Sequence, residues 1–136
     1  MITPEKRRQL IANQILRAEK AIAQADFCSV NNQFDLAFNR VYYGMFYAMQ
    51  ALALLHGFET SKHQQLIGWF NKNFVHTGIF PNNFTAFVKK AFDARTDADY
   101  DLEGIEFESD AEPYIADMKL FISTIKDYLE TRMRTE

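Results

Sequence analysis

The segment from Gln33 to His56 constrains this chain more than any other. Phe34, Phe38, Tyr42, Met45, Met49 and Leu52 recur on one face at helical spacing, while Val41, Phe46, Ala48 and Leu55 cover much of the rest. A helix that is apolar nearly all round must be covered on most sides, because apolar area left in water costs about 25 cal/mol per Å². It belongs at the centre of a bundle or partly in an interface between subunits. Gly57 supplies its stop, since the residue after the last turn often adopts the left-handed backbone that glycine tolerates. The uncharged stretch from Val41 to Phe58 holds Gln50, His56 and Gly57, which makes it too short and too polar for a membrane span.

Other helices are marked by periodicity and caps. Thr3 as N-cap and Pro4 at the first position open a helix with Ile11, Ile15, Ala18, Ile22 and Ala25 on one stripe, expected to end in a polar loop between Asp26 and Asn32. Ser61 and Gln64 have capping-box spacing ahead of Leu66, Ile67, Phe70 and Phe74, and that helix gives way at Gly78. After Pro81 come Phe84, Phe87, Val88, Ala91 and Phe92; then Ser109 and Glu112 make a second capping box before Ile115, Met118, Ile122, Ile125 and Leu129. With only 5 Gly and 3 Pro in 136 residues there are few places for the turns of a many-stranded sheet. The expected fold is all-α: an antiparallel up-and-down bundle of four to five helices, one domain over residues 1–136. So short a chain has little left to cover its second helix from within, which predicts a homodimer built on that helix.

The single Cys28 cannot form an intramolecular disulfide, and no apolar leader follows Lys6, Arg7 and Arg8, so a reducing cytoplasm and no membrane are expected. Residues 1–90 carry 10 Lys and Arg against 5 Asp and Glu, while 91–136 carry 5 against 13. Such asymmetry can guide a partner without identifying one.

Four groups of residues could carry chemistry. Asn39 and Arg40 emerge from the aromatic cluster Phe38, Tyr42, Tyr43, where Arg40 could face a cleft and hold a phosphate. His56, His63 and His76 lack the four-residue helical spacing of a metal pair, so no metal and no cofactor are expected. Asp97, Asp99, Asp101, Glu103 and Glu108 match five positions of a calcium-binding loop, but Leu102 stands where its turn requires glycine, which favours a solvated acidic loop. Arg95 is the lone cation between Asp93 and Glu112, either tied to neighbouring carboxylates or available as a phosphate contact with Tyr100 beside it.

The run from Ala37 to Ala48 (AFNRVYYGMFYA), the segment Ser61-Lys62-His63 leading to Phe74-Val75-His76-Thr77-Gly78, and Arg95-Thr96-Asp97-Ala98-Asp99-Tyr100-Asp101 before a long last helix together resemble the HEPN domain family, over about residues 5 to 130. The resemblance implies a dimerising antiparallel bundle, often paired with a minimal nucleotidyltransferase (MNT) as toxin and antitoxin, and in many members an RNase. Its RNase motif is an Arg followed after four to six residues by His, the two copies meeting at the dimer interface. Arg95 matches the Arg; Tyr100, Asp101 and Leu102 fill the window, which holds no His. A phenol with a pKa near ~10 is a poor general base at neutral pH. The expectation is a HEPN protein with a degenerate RNase motif that binds an MNT partner and a nucleotide or RNA, with Arg95 and Tyr100 as catalytic candidates and Asn39, Arg40 and His63 as ligand-binding ones. The alternative is an active, metal-independent RNase toxin using Arg95 with Tyr100 or His63.

Overall fold

The computed structural model describes residues 2–99 and 110–135. Five helices follow one another: α1 (Pro4–Val30), α2 (Phe34–His56), α3 (His63–Phe70), α4 (Asn83–Asp99) and α5 (Glu112–Arg134), with one π-helical turn, Asn71–Val75, continuing α3. The described residues contain no strand. The fold is the all-α bundle that the periodicity predicts, and no helix is long and apolar enough to cross a membrane.

Helix α1 begins as expected, with Pro4 in its first turn and the Thr3 hydroxyl accepting from the Lys6 amide at 3.1 Å. It does not stop at Asp26. The helix continues to Val30 because residues 26–30 include neither Gly nor Pro; the break comes at Asn32, whose φ of 57° is one that Asn tolerates. Its buried stripe, Ile11, Ile15, Ala18, Ala21 and Ala25, is mostly small. That smallness lets α1 lie close along α2, and Gly44 extends the approach to α5. A Cβ on Gly44 would collide with the terminal methyl of Met118 and stand 3.3 Å from Ala21 Cβ and 3.4 Å from Ile122 Cδ1.

Helix α2 touches all four other helices and is the axis of the bundle. Ala37, Phe38, Val41, Tyr42, Met45, Phe46, Ala48, Met49, Leu52 and Ala53 are all buried within one chain. This corrects the sequence argument for a dimer: long α1, with α4 and α5, covers the second helix from within. The large apolar side chains left in water lie elsewhere, among them Phe27 at 69% exposed, Val30 at 80% and Leu36 at 56%, all beside the α1–α2 turn.

Neither predicted capping box forms as read. Helix α3 starts at His63, so Ser61 is one residue too early to cap it; the Thr60 hydroxyl instead accepts from the Lys62 amide and donates to Gln65 Oε1. The Glu112 amide of α5 is met by Asp110 Oδ1 at 3.0 Å, and Ser109 lies outside the described residues. Helix α3 reaches only Phe70 before the π turn, closed by the His76 amide donating to the Asn71 carbonyl at 2.8 Å. Helix α4 extends to Asp99, so Asp97 and Asp99 belong to its last turn rather than to an irregular loop. The segment holding Tyr100, Asp101, Glu103 and Glu108 lies outside the described residues.

Candidate functional site

One cluster gathers most of the polar residues singled out in the sequence. Helix α2 supplies Asn39, Arg40, Tyr42, Tyr43 and Phe46, the first residue of α3 supplies His63, and α4 supplies Arg95 about one turn before its end. Adjacent residues of a helix point about 100° apart, so Tyr42 is fully buried while Tyr43 lies half-buried beside it.

The two tyrosine rings organise the rest. Arg95 Cζ sits 5.3 Å from the Tyr43 centroid and 5.6 Å from that of Tyr42, and its Nη2 donates to the Tyr43 hydroxyl at 3.4 Å. Arg40 Cζ lies 5.5 Å from the same Tyr43 ring. A guanidinium within about 6 Å of an aromatic face gains of order 0.5–1 kcal/mol when partly exposed. Nε and Nη2 of Arg40 donate to Asn39 Oδ1 at 3.1 and 2.8 Å, and Nη1 donates to Gln24 Oε1 at 3.2 Å. All these acceptors are neutral amides, so the hydrogen bonds fix the fork of Arg40 without cancelling its charge.

His63 enters from the other side. Its ring stacks on Phe46 at 4.1 Å, lies 5.7 Å from Tyr42 and meets Tyr43 edge-on at 6.0 Å. Its Nδ1 is 2.8 Å from the Tyr42 hydroxyl. Burial and then the Arg95 charge lower its pKa below the ordinary 6.5, so the imidazole is neutral at pH 7. Burial, reinforced by Tyr43 and opposed by Arg95, pushes the Tyr42 phenol up to about 12, so it keeps its proton. The cluster therefore presents two permanent cations and a neutral imidazole around two protonated phenols. These groups can hold an anion, phosphate foremost, through charge-assisted hydrogen bonds.

Arg40, Asn39, His63 and Arg95 are thus brought into one site, although 56 positions of sequence separate the first from the last. Tyr100 lies outside the described residues. Reading Tyr42 and Tyr43 as packing missed their part: each sets a polar group in place. The signal was tyrosine where phenylalanine would pack equally well, since a buried phenol needs a hydrogen-bond partner. Gln24, on α1, gave no signal at all. Among the described residues no group of three or more His, Cys, Asp or Glu is placed to hold a metal ion.

Comparison with known proteins agrees with this architecture. The HEPN domain family matches residues 12–128. A Thermotoga maritima protein named as a UPF0332 protein is 32% identical over 119 residues, covering 87% of this chain and 89% of that one. Two Methanocaldococcus jannaschii proteins, each named "Putative toxin", are 29% and 28% identical, covering 85% and 90% of this chain and 78% and 91% of their own lengths. With a family match across nearly all of a bundle of this topology, the chain belongs to the HEPN domain family.

Proposed function

We propose that this HEPN protein recognises a phosphate of a nucleotide or RNA at the site formed by Arg95, Arg40 and His63, as the toxin-like member of a pair with a minimal nucleotidyltransferase. The observation that carries the reading is the pair of guanidiniums on one tyrosine ring, Arg40 at 5.5 Å and Arg95 at 5.3 Å. Like charges held this close repel unless an anion compensates, and a phosphate compensates best because it accepts from both forks. His63, neutral and on the same rings, adds a third nitrogen. The toxin-like part rests on the names of the two relatives.

Phosphate binding is favoured over RNA cleavage because the motif window after Arg95 holds no His, and His63 joins the site from another helix. A homodimer remains part of the proposal, moved from α2 to the exposed Phe27, Val30 and Leu36 at the α1–α2 turn.

Binding of end-labelled RNA and of ATP to purified protein tests the reading, with the same RNA samples run on a denaturing gel. Arg95→Ala and Arg40→Ala should each weaken binding at least about tenfold, corresponding to a charge-assisted hydrogen bond of about 1.5–3 kcal/mol. RNA that is cut by the parent and left intact by both Arg95→Ala and His63→Ala would replace this reading with the nuclease one. Failure of the parent to bind either ligand would end the phosphate assignment.

A further inference from the structure

The Tyr42–His63 hydrogen bond determines what the imidazole can do, and its direction follows from the surroundings of the phenol. Tyr42 is fully buried. Its ring is held by Phe46 stacked at 6.1 Å and by Tyr43 and Phe92 edge-on at 5.3 and 5.6 Å, so the hydroxyl cannot swing out to water. The O–H needs an acceptor, because a buried donor without one loses its hydration for nothing in return. Among the described residues its hydrogen-bond partner is His63 Nδ1, at 2.8 Å.

Two arrangements fit that distance. If Nδ1 carried the hydrogen and donated to the Tyr42 oxygen, the phenolic proton would be left in the apolar interior. If the phenol donates to Nδ1, every buried group is satisfied and the ring hydrogen of neutral His63 resides on Nε2. Stacking on Phe46 at 4.1 Å fixes the plane of the ring, so Nε2 occupies the edge away from Tyr42. That nitrogen carries a hydrogen and has no in-plane lone pair to offer.

We propose that Tyr42 is a positioning residue that locks His63 as the Nε2–H tautomer, so that the imidazole meets a ligand oxygen as a neutral hydrogen-bond donor beside Arg95. The donor role toward phosphate rests on the function proposed above; the tautomer does not. In this form His63 can add a hydrogen bond to a phosphate oxygen. It cannot take the proton of a ribose 2′-hydroxyl at Nε2, which is what a general base in RNA cleavage must do. The site is thereby set for holding a phosphate rather than for cutting next to it.

Histidine labelled with nitrogen-15 tests the assignment without any ligand. In a long-range proton–nitrogen correlation spectrum at pH 8, with His63 assigned by its loss in His63→Gln, Nε2 should show the shift of a protonated nitrogen and Nδ1 that of an unprotonated, hydrogen-bonded one. The reverse pattern in the parent protein overturns the proposal, whatever the variants do. Tyr42→Phe keeps the ring and removes the donor. Donation to Nδ1 stabilises only the neutral imidazole, so the His63 pKa should rise toward 6.5 in that variant. A fall would mean that the phenol had been accepting from a protonated Nδ1, and would likewise overturn the proposal. Inorganic phosphate is then titrated into the parent while the Nε2–H resonance is followed. A shift of that resonance supports the donor role. Absence of phosphate binding, with the tautomer as assigned, refutes the functional reading alone.

Discussion

Arg40 and Arg95, from different helices, share the ring of Tyr43, at 5.5 and 5.3 Å from its centroid. The shared ring couples their roles while their supports differ, for Arg40 is fixed by Asn39 and Gln24 and Arg95 donates to the Tyr43 hydroxyl. Tyr43→Phe should therefore weaken phosphate-ligand binding through Arg95 by a few-fold and spare the ring stacking of both cations. Arg95→Lys should lose more, about tenfold or above, because an ammonium offers no fork. Titration of each variant with ATP checks the ranking, and equal affinities for Arg95→Lys and the parent would refute it.

Arg95→Ala also has a structural consequence. Removing one guanidinium from two tyrosine faces should cost about 0.5–2 kcal/mol of stability, while binding falls by tenfold or more. Thermal melts run beside the binding assay separate the two effects; a strongly destabilised variant that still binds normally would show that Arg95 only holds the bundle together.

Acid should weaken the fold through its histidines. His63 and His56 both have pKa values lowered by burial first and a nearby Arg second, Arg95 for one and Arg132 for the other. The folded state then binds fewer protons than the unfolded chain, so stability is full above the ordinary value of 6.5 and is lost as pH falls from there through the lowered folded values. Melting temperatures compared at pH 7.5 and 5.5 should drop, and His63→Gln should drop by less. An identical pH dependence in His63→Gln would exclude His63 as a contributor.

Packing around Gly44 predicts a sharp size limit. In Gly44→Ala the new methyl meets the flexible end of Met118, and the gain in helix propensity, about 1 kcal/mol, offsets the crowding. Gly44→Val has no such relief against Ala21 and Ile122 and should cost about 1–3 kcal/mol. Chemical denaturation of the two variants should therefore give one close to the parent and one well below it.

Oligomeric state should respond to the α1–α2 turn and not to α2. Leu36→Glu places a charge among the exposed Phe27 and Val30, so a dimer built there should dissociate at micromolar concentration in sedimentation velocity, with helicity unchanged. A dimer indifferent to Leu36→Glu would have its interface elsewhere.

Most of the bundle was legible because helical periodicity is written locally: the stripes on α1, α4 and α5 and the stop at Gly57 need no knowledge of the rest of the chain. Two kinds of error came from the same source. The ends of α1 and α4 were placed too early because polar residues were read as loop, although a polar run without Gly or Pro continues a helix on its outer face. The covering of α2 was misjudged because small residues such as Ala18, Ala21 and Gly44 contribute little to an apolar pattern but decide how closely helices approach. At the site, Arg95, Arg40 and His63 could each be named, yet their meeting depends on α3 bringing His63 back across Phe46, which no spacing in the sequence records.

The π turn at Asn71–Val75 is in effect a one-residue phase shift. Each residue of an α-helix advances the chain by about 100°, so the extra residue lets Phe70, Phe74 and Val75 all face inward before the chain turns at Gly78. Deleting a single residue there would restore regular winding and carry everything downstream round by the same angle, swinging Phe80 away from the aromatic stack it makes with Phe70 and Phe74. The segment is thus tolerant of side-chain exchange on its outer face but intolerant of any change in length.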